Sequence, residues 1–122
     1  MRSNTIKYLK ENFGRLIKIR HLKHGKQENE SFLIGVIAKQ NKFWKDSDLY
    51  KNHIPVYWPY YFKSKETCQC MIIDCKNDEI YFEPVTNEDL KTWLEIYNSN
   101  KNYRDTKENQ LEYGIDIKNI KY

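Results

Sequence analysis

The chain has 122 residues, of which 39% are hydrophobic, 15% aromatic and 31% charged, with a formal net charge of +4. One domain is expected at this length, with enough buried surface for a core without disulfides or metals. The sequence contains no apolar run near the ~18 residues of a membrane-spanning helix and no apolar segment typical of a signal peptide. The cysteines are odd in number, so a disulfide framework is not predicted, and a cytoplasmic location with reduced thiols is expected.

Charge is distributed unevenly along the sequence. Residues 1–26 carry eight Lys/Arg and one acid, a balance of +7, whereas residues 74–95 carry seven acids and two lysines, a balance of −5. Because the two segments differ so strongly in sign, they predict two differently charged surfaces on the folded molecule.

The first half of the sequence predicts a helix, two strands and a long connection. An amphipathic helix is expected to end at Gly14. Basic and apolar residues then alternate, which predicts a strand with Ile17 and Ile19 buried and a basic outer face. Residues 31–38, SFLIGVIA, are apolar on both faces and predict a central strand. Residues 39–55 are long and polar, which is typical of a functional or poorly ordered loop.

The second half predicts more strands and a helix. Residues 56–62, VYWPYYF, are aromatic and interrupted by proline, which predicts an edge strand or an extended loop. Residues 67–75 and 79–85, TCQCMIIDC and EIYFEPV, predict two strands paired as a hairpin across a tight turn. The following helix contains Trp93, and Thr86 is its expected N-cap in a capping box.

These elements together predict an α+β domain. Its expected form is a small antiparallel, strongly bent sheet or partly open β-barrel, with an N-terminal helix and a Trp-bearing C-terminal helix. Residues 1–98 are predicted to form this single domain. Residues 99–122 are predicted to be a polar linker followed by a possible edge strand or a disordered tail, since apolar and polar residues alternate near the end.

Two stretches resemble parts of known barrel families. Residues 8–41, YLKENFGRLIKIRHLKHGK and then FLIGVIAKQN, resemble the opening of Sm-like barrels, although the second Sm motif is absent. Residues 70–97, CMIIDCKNDEIYFEPVTNEDLKTWLEIY, resemble the closing hairpin and Trp-bearing helix of pleckstrin-homology domains. Both resemblances imply a small barrel, and neither implies a particular ligand.

Five cations form the first candidate binding site. They lie on the predicted basic strand and the turn after it, so they are expected to share one face that can neutralise phosphates. The alternative is a solvated strand face whose charges discourage edge-to-edge pairing. The residues are Arg15, Lys18, Arg20, Lys23 and Lys26.

The aromatic stretch forms the second candidate site. Strict alternation places Tyr57, Pro59 and Tyr61 on one side and the remaining rings on the other. One set is then expected in the core and the other is presented to a partner. Exposed rings beside cations can stack nucleic-acid bases or anchor a protein partner. The candidate binding rings are Tyr57, Trp58, Tyr60 and Phe62.

Signals for metal binding and catalysis are weaker. The cysteines and His53 are suitable zinc ligands, but the strand prediction places Cys75 on the opposite face from Cys68 and Cys70, so no metal or cofactor is predicted. Asp74 and Lys76 form a D-x-K pattern similar to the core of metal-dependent nucleases. A solvated turn is the alternative interpretation of the same residues.

The sequence therefore favours a small non-catalytic protein that binds nucleic acid or a nucleic-acid-handling protein and has no membrane partner. A phage- or plasmid-encoded inhibitor of a host enzyme is one form of this hypothesis. The first alternative is a nuclease that uses Asp74 and Lys76. The second is an immunity-type interaction module that presents an acidic patch of Asp78, Glu79, Glu83, Glu88 and Asp89.

Overall fold

Three α-helices and a six-stranded antiparallel sheet are formed by the residues that the computed structural model describes, 3–22, 31–100 and 113–122. This architecture confirms the predicted α+β class. The elements are α1 (Ser3–Glu11), β1 (Leu16–Leu22), β2 (Ser31–Ile37), α2 (Lys42–Asp46), β3 (His53–Tyr61), β4 (Glu66–Thr67), β5 (Cys70–Asp74), β6 (Glu79–Glu83) and α3 (Asn87–Ser99), with a 3-10 turn at Ile117–Asn119.

The sheet is strongly bent. Its strand order is β4-β3-β2-β1-β6, and β5 also pairs with β3. A flat sheet would separate β5 from β6 by four strand spacings, about 19 Å. Residues 75–78 nevertheless join them in a tight turn, in which the backbone nitrogen of Asp78 donates to the carbonyl of Asp74 at 2.8 Å. The sheet must therefore curve until its two outer strands meet at this turn, although it does not close over the described residues.

The predicted hairpin between these two strands is wrong. The turn is present, but β5 pairs with β3, where Met71 lies opposite Val56, and β6 pairs with β1, where Tyr81 lies opposite Arg20. Turn residues report that the chain reverses its direction. They do not determine which strands form hydrogen bonds on either side, because that register depends on distant parts of the chain.

The inner, concave face of the sheet holds the first part of the core. Its side chains come from four strands and are almost completely buried, and Leu9 of α1 packs against them. Burying each such side chain stabilises the fold by roughly 1.5–3 kcal/mol. This face includes Ile17, Ile19, Leu33, Ile37, Ile54, Val56 and Ile73.

The outer, convex face holds the second part of the core. Trp93 and Tyr97 of α3 cover Val36 and Trp58 there. Residues 113–122 also pack on this face, with Ile115 buried. Residues 113–120 form no strand, and Lys121 makes an isolated bridge to Arg15, so the alternation at the end of the sequence reflects packing rather than a regular edge strand. The predicted linker falls largely outside the described residues, and the boundary at residue 98 stays a prediction.

The aromatic strand β3 lies inside the sheet, so the prediction of an edge strand or extended loop is wrong. Its prolines are tolerated because they lie where the ladder of hydrogen bonds is interrupted. The carbonyl of Pro55 accepts from Ala38, one residue beyond β2, and Pro59 lies in a bulge. The predicted central position of β2 is confirmed, since it lies between β1 and β3.

The bulge in β3 decides where the rings point. Gly35 of β2 alone lies opposite Trp58 and Pro59, so β3 contains one extra residue. Trp58 has a left-handed φ of 53°, and as a result Tyr57 and Trp58 both face the outer side. A Cβ on Gly35 would lie 2.7 Å from Cγ1 of Val56, which explains the glycine at this position.

Candidate functional site

An arginine lies between two partly exposed rings on the outer face. Arg20 is opposite Phe32 of β2 and opposite Tyr81 of β6, so the three side chains form one row across the sheet. Its Cζ atom is 4.8 Å from the centroid of the Tyr81 ring and 6.0 Å from that of Phe32. Phe32 is 37% exposed and Tyr81 is 45% exposed. The row therefore offers a delocalised cation and ring surface at the same place.

A second row continues this surface towards α3. The Nζ atom of Lys18 lies 5.2 Å from the centroid of the Phe62 ring, and Phe62 meets Tyr60 edge to face at 5.3 Å. Both rings are half-buried. We call the combined surface the outer patch. It consists of Lys18, Arg20, Phe32, Tyr60, Phe62 and Tyr81.

Lys18 also anchors α3. Its Nζ is 3.3 Å from Oδ2 of Asp89, and the Asp89 carboxylate accepts from the backbone nitrogen of Thr86. The Thr86 hydroxyl accepts in return from the nitrogen of Asp89, which confirms the predicted capping box. Burial by itself raises the pKa of Asp89, but the hydrogen bonds with Thr86 and the ion pair with Lys18 outweigh it and hold the pKa below its ordinary value.

The oppositely charged parts of the sequence adjoin each other in the fold. Basic β1 pairs with acidic β6, with Lys18 opposite Glu83. At the end of β1, Nε2 of His21 lies 2.9 Å from Oδ2 of the buried Asp78. The expected separation into two charged surfaces is therefore wrong for these strands. Two of the five residues of the predicted acidic patch have structural roles instead, because Asp78 is buried and Asp89 caps α3.

The structure does not place all five predicted cations on one face. Successive strand residues point to opposite sides, and Arg15 instead lines a cleft at the sheet edge, beside Tyr8 of α1. Lys18 lines the same cleft and also shares the outer patch with Arg20, so Arg15 lies beside the outer patch without being part of it. The two remaining cations lie outside the described residues: Lys23 and Lys26.

Two of the predicted binding rings have structural contacts. Trp58 is 1% exposed, and its carbonyl accepts from Nε1 of Trp93 at 3.1 Å. Tyr57 stacks on Tyr113 at 4.2 Å, and burial raises its pKa. Trp58, which was predicted as a binding ring, is therefore not exposed to a partner, because the bulge directs its side chain beneath α3.

Sequence reasoning missed four residues at or beside this surface. Phe32 and Tyr81 complete the row around Arg20, and Lys63 and Lys65 are exposed in the turn that follows Phe62. Alternation within SFLIGVIA and EIYFE could have placed the two rings on the outer side. Their position next to Arg20 depends on the pairing register, which local sequence does not give.

A second exposed apolar surface is the loop of residues 40–53, which contains α2 and which we call the Gln40 loop. Phe43 is 72% exposed and Leu49 is 69% exposed, and no residue of α2 is buried. The side chain of Gln40 is itself buried and ties the loop together, because its Nε2 donates to the carbonyls of Lys51 and His53 at 3.0 and 2.8 Å. These hydrogen bonds argue against the interpretation of the long connection as a poorly ordered loop.

The D-x-K residues build a turn. Oδ1 of Asp74 accepts from the backbone nitrogen of Lys76 at 3.1 Å, and Oδ2 accepts from Nδ2 of Asn77 at 2.8 Å. Burial by itself raises the pKa of Asp74, but these hydrogen bonds outweigh it and lower the pKa. In the part of the chain that the structure describes, no group of three or more His, Cys, Asp or Glu is arranged to hold a metal. The contacts favour the turn interpretation over the nuclease interpretation.

Two of the three cysteines have the properties of structural side chains. Cys75 is buried in the inner core and Cys70 is half-buried. Burial raises the pKa of Cys70 to about 11 and that of Cys75 to about 12. Because a thiol must lose its proton to act as a nucleophile or a metal ligand, these two are poorly suited to either role near neutral pH.

Comparison of the chain with protein-family models, curated proteins and solved structures found no match in any of the three. The resemblances to Sm-like and pleckstrin-homology domains therefore concern short segments, and function has to be inferred from the residues themselves. Among the described helices, none is both long and apolar enough to cross a membrane.

Proposed function

We propose that the protein binds single-stranded nucleic acid on the outer patch. The observation that carries this proposal is the row in which Arg20 lies between the exposed rings of Phe32 and Tyr81. Unpaired bases stack on aromatic rings, and arginine can pair with phosphate or stack on a base. A duplex, whose bases are already stacked on one another, would not use the rings in this way.

The surroundings of the patch suggest a path for the bound strand. Lys63 and Lys65 are exposed beside Phe62 and can neutralise phosphates there. Glu79 and Glu83 lie on the outermost strand, β6, and Glu79 accepts a hydrogen bond from the hydroxyl of Tyr81. These carboxylates would repel phosphates, so the strand is expected to run over β1, β2 and β3 rather than beyond β6.

Fluorescence anisotropy with a labelled oligothymidine of about 15 nucleotides tests this function. Phe32→Ala should weaken binding by roughly 5–150-fold, the equivalent of one lost stacking contact. Arg20→Ala should weaken it by about tenfold or more and reduce the slope of log K against log salt by about 0.7. Lys91→Ala is the matched control, since it removes the same charge from the exposed surface of α3. Equal effects of the Arg20 and Lys91 variants would contradict the proposal.

A protein partner is the second candidate, and the Gln40 loop favours it. Phe43 and Leu49 project from a hydrogen-bonded loop in which no residue of α2 is buried, as expected of side chains that anchor an interface. This candidate corresponds to binding of a nucleic-acid-handling protein or inhibition of a host enzyme. Phe43→Ala should then abolish a protein complex without changing oligothymidine binding, whereas Phe32→Ala should do the reverse.

The proposal includes a cytoplasmic location and no membrane partner. Its support is the odd number of cysteines, three, which argues against a disulfide framework and is typical of a reducing compartment. Fractionation of the native host with an antibody against the protein would test this part. Recovery of the protein from the membrane or extracellular fraction would contradict it.

A further inference from the structure

Strand β6 lies at one edge of the sheet and pairs with β1 alone among the described strands. The direction of the backbone groups in β1 follows from two hydrogen bonds at its start. The carbonyl of Arg15, directly before β1, accepts from the nitrogen of Ile37 in β2. The next residue, Leu16, instead donates to the carbonyl of Lys121 on the opposite side. Because this direction alternates along a strand, the even-numbered residues of β1 direct their backbone groups towards β6.

The same alternation identifies the available backbone groups of β6. The even-numbered residues of β1 lie opposite Glu79, Tyr81 and Glu83, so these three form the hydrogen bonds with β1. The N–H and C=O groups of Ile80 and Phe82 point away from β1. None of them has a hydrogen-bond partner among the described residues. A row of donors and acceptors of this kind is what a further strand pairs with.

The edge formed by β6 is open on both faces of the sheet. Every residue of β6 except Ile80, which is half-buried, is exposed. Phe82 is 44% exposed although it lies on the inner face, opposite the buried Ile19. An inner side chain of a closed barrel would be enclosed, so this exposure shows that the sheet is open beside Phe82. Tyr8 of α1 holds the Phe82 ring in place by an edge-to-face contact at 5.3 Å.

Two carboxylates determine which strand can add to this edge. Glu79 and Glu83 are the first and last residues of β6 and lie on its outer face, about 13 Å apart along the strand. Neither forms an ion pair among the described residues, and Lys18, which lies opposite Glu83, pairs with Asp89 instead. An antiparallel second copy centred on Tyr81 would place Glu79 opposite Glu83, and like charges directly opposite each other destabilise paired strands. A strand with cations at these two positions is attracted instead.

We propose that β6 binds an extended basic segment of a partner protein by strand addition. In this segment two lysine or arginine residues flank an apolar residue, a variable residue and a second apolar residue. The cations lie opposite Glu79 and Glu83, and the apolar residues pair with the available backbone groups of Ile80 and Phe82. Binding does not use Arg20 or the ring of Phe32, so it is independent of nucleic-acid binding on the outer patch.

NMR titration of the ¹⁵N-labelled protein with capped synthetic pentapeptides tests this site. The peptides are KVTVK, its acidic analogue EVTVE, and KVTVK with both valine nitrogens methylated. KVTVK should bind about tenfold or more tightly than EVTVE, with the largest amide shifts at Ile80 and Phe82. The methylated peptide keeps its charge but lacks the two donors that face β6, so it should bind roughly 5–150-fold more weakly than KVTVK.

Substitutions in the protein test the role of the two carboxylates. The double variant Glu79→Gln/Glu83→Gln should reduce the preference for KVTVK over EVTVE to less than about twofold, because the charges that select the basic peptide are lost. The double variant Glu88→Gln/Glu95→Gln is the matched control. It removes the same charge from the exposed surface of α3 and should leave the preference unchanged.

Several results would overturn the proposal. They are equal binding of KVTVK and its methylated form, equal binding of KVTVK and EVTVE, and the absence of a saturable shift at the amides of Ile80 and Phe82. Sedimentation of the free protein as a dimer in which these two amides are protected from hydrogen exchange would also contradict it, since a second copy would then occupy the edge. The comparison of the three peptides on the unaltered protein decides the question even where a variant does not fold.

Discussion

The aromatic stretch of β3 and the Gln40 loop carry similar side chains, yet the fold buries the centre of the first and exposes the second. Trp58 lies beneath α3 with 1% of its surface exposed, whereas Phe43 is 72% exposed. The difference does not come from the density of rings in the sequence. It arises because a bulge directs Trp58 to the side of β3 that α3 covers. The buried Gln40, by contrast, holds the ends of its loop together without covering the tip.

The rings of the outer patch are intermediate in exposure between those of the two regions. Tyr60 and Phe62 are half-buried, and Phe32 and Tyr81 are more exposed because they lie beyond the ion pair that joins Lys18 to α3. A ligand site is expected where the cover provided by α3 ends. There the rings are held in position by packing and still present surface to a ligand.

The largest expected effect comes from removing the most deeply buried ring. Trp58→Ala should lower the free energy of unfolding by about 3–5 kcal/mol, because it leaves a cavity beneath Trp93 and Tyr97. Phe43→Ala is the matched control and should change it by less than about 0.5 kcal/mol. Urea denaturation measures both values. Similar losses in the two variants would contradict the contrast between the two regions.

The bulge that directs Trp58 beneath α3 gives the next prediction. Gly35→Ala should destabilise the protein by roughly 1–3 kcal/mol, since the new Cβ would lie 2.7 Å from Cγ1 of Val56 and 3.3 Å from Cα of Pro59. Thr67→Ala on exposed β4 is a suitable control. Thermal denaturation of the two variants compares them. A Gly35→Ala protein as stable as its parent would show that the bulge does not require a glycine.

A smaller effect is expected at the boundary between the covered and open parts of the outer face. Asp89→Asn should cost about 0.5–1 kcal/mol at pH 7, because it removes the charge that pairs with Lys18 and favours the helix N-terminus. The pKa of Asp89 is lowered by folding. Its stabilisation is therefore fully present above the unfolded pKa, near 3.9, and is lost as the pH falls through the lower folded pKa.

Urea denaturation of both proteins between pH 2 and pH 7 checks this prediction. The difference in free energy of unfolding should be largest at neutral pH and should disappear at the acidic end. A difference that stays constant over this range would mean that the carboxylate charge has no part in holding α3 against the outer face.

Local patterns predicted the local structure well. Alternation along β1 correctly separated Ile17 and Ile19 from Lys18 and Arg20, because each side of a half-buried strand meets a different environment. Thr86 correctly marked the start of α3, since the capping box involves residues within one turn of each other.

The remaining features depend on distant contacts. Strict alternation failed at Trp58 because this residue has a left-handed φ and lies in a bulge opposite Gly35 of another strand. The hairpin prediction failed because β5 and β6 pair with different strands of a bent sheet. Phe32 and Tyr81 were missed for the same reason, since the pairing register brings them to Arg20.

An NMR titration with oligothymidine that follows the signals of the aromatic rings tests the central claim most directly. The ¹³C–¹H signals of Phe32 and Tyr81 should shift and saturate together, because bases stack on the outer patch. The signals of Phe43 in the Gln40 loop should remain in place. Unchanged Phe32 and Tyr81 signals, or shifts confined to Phe43, would contradict nucleic-acid binding on the outer face.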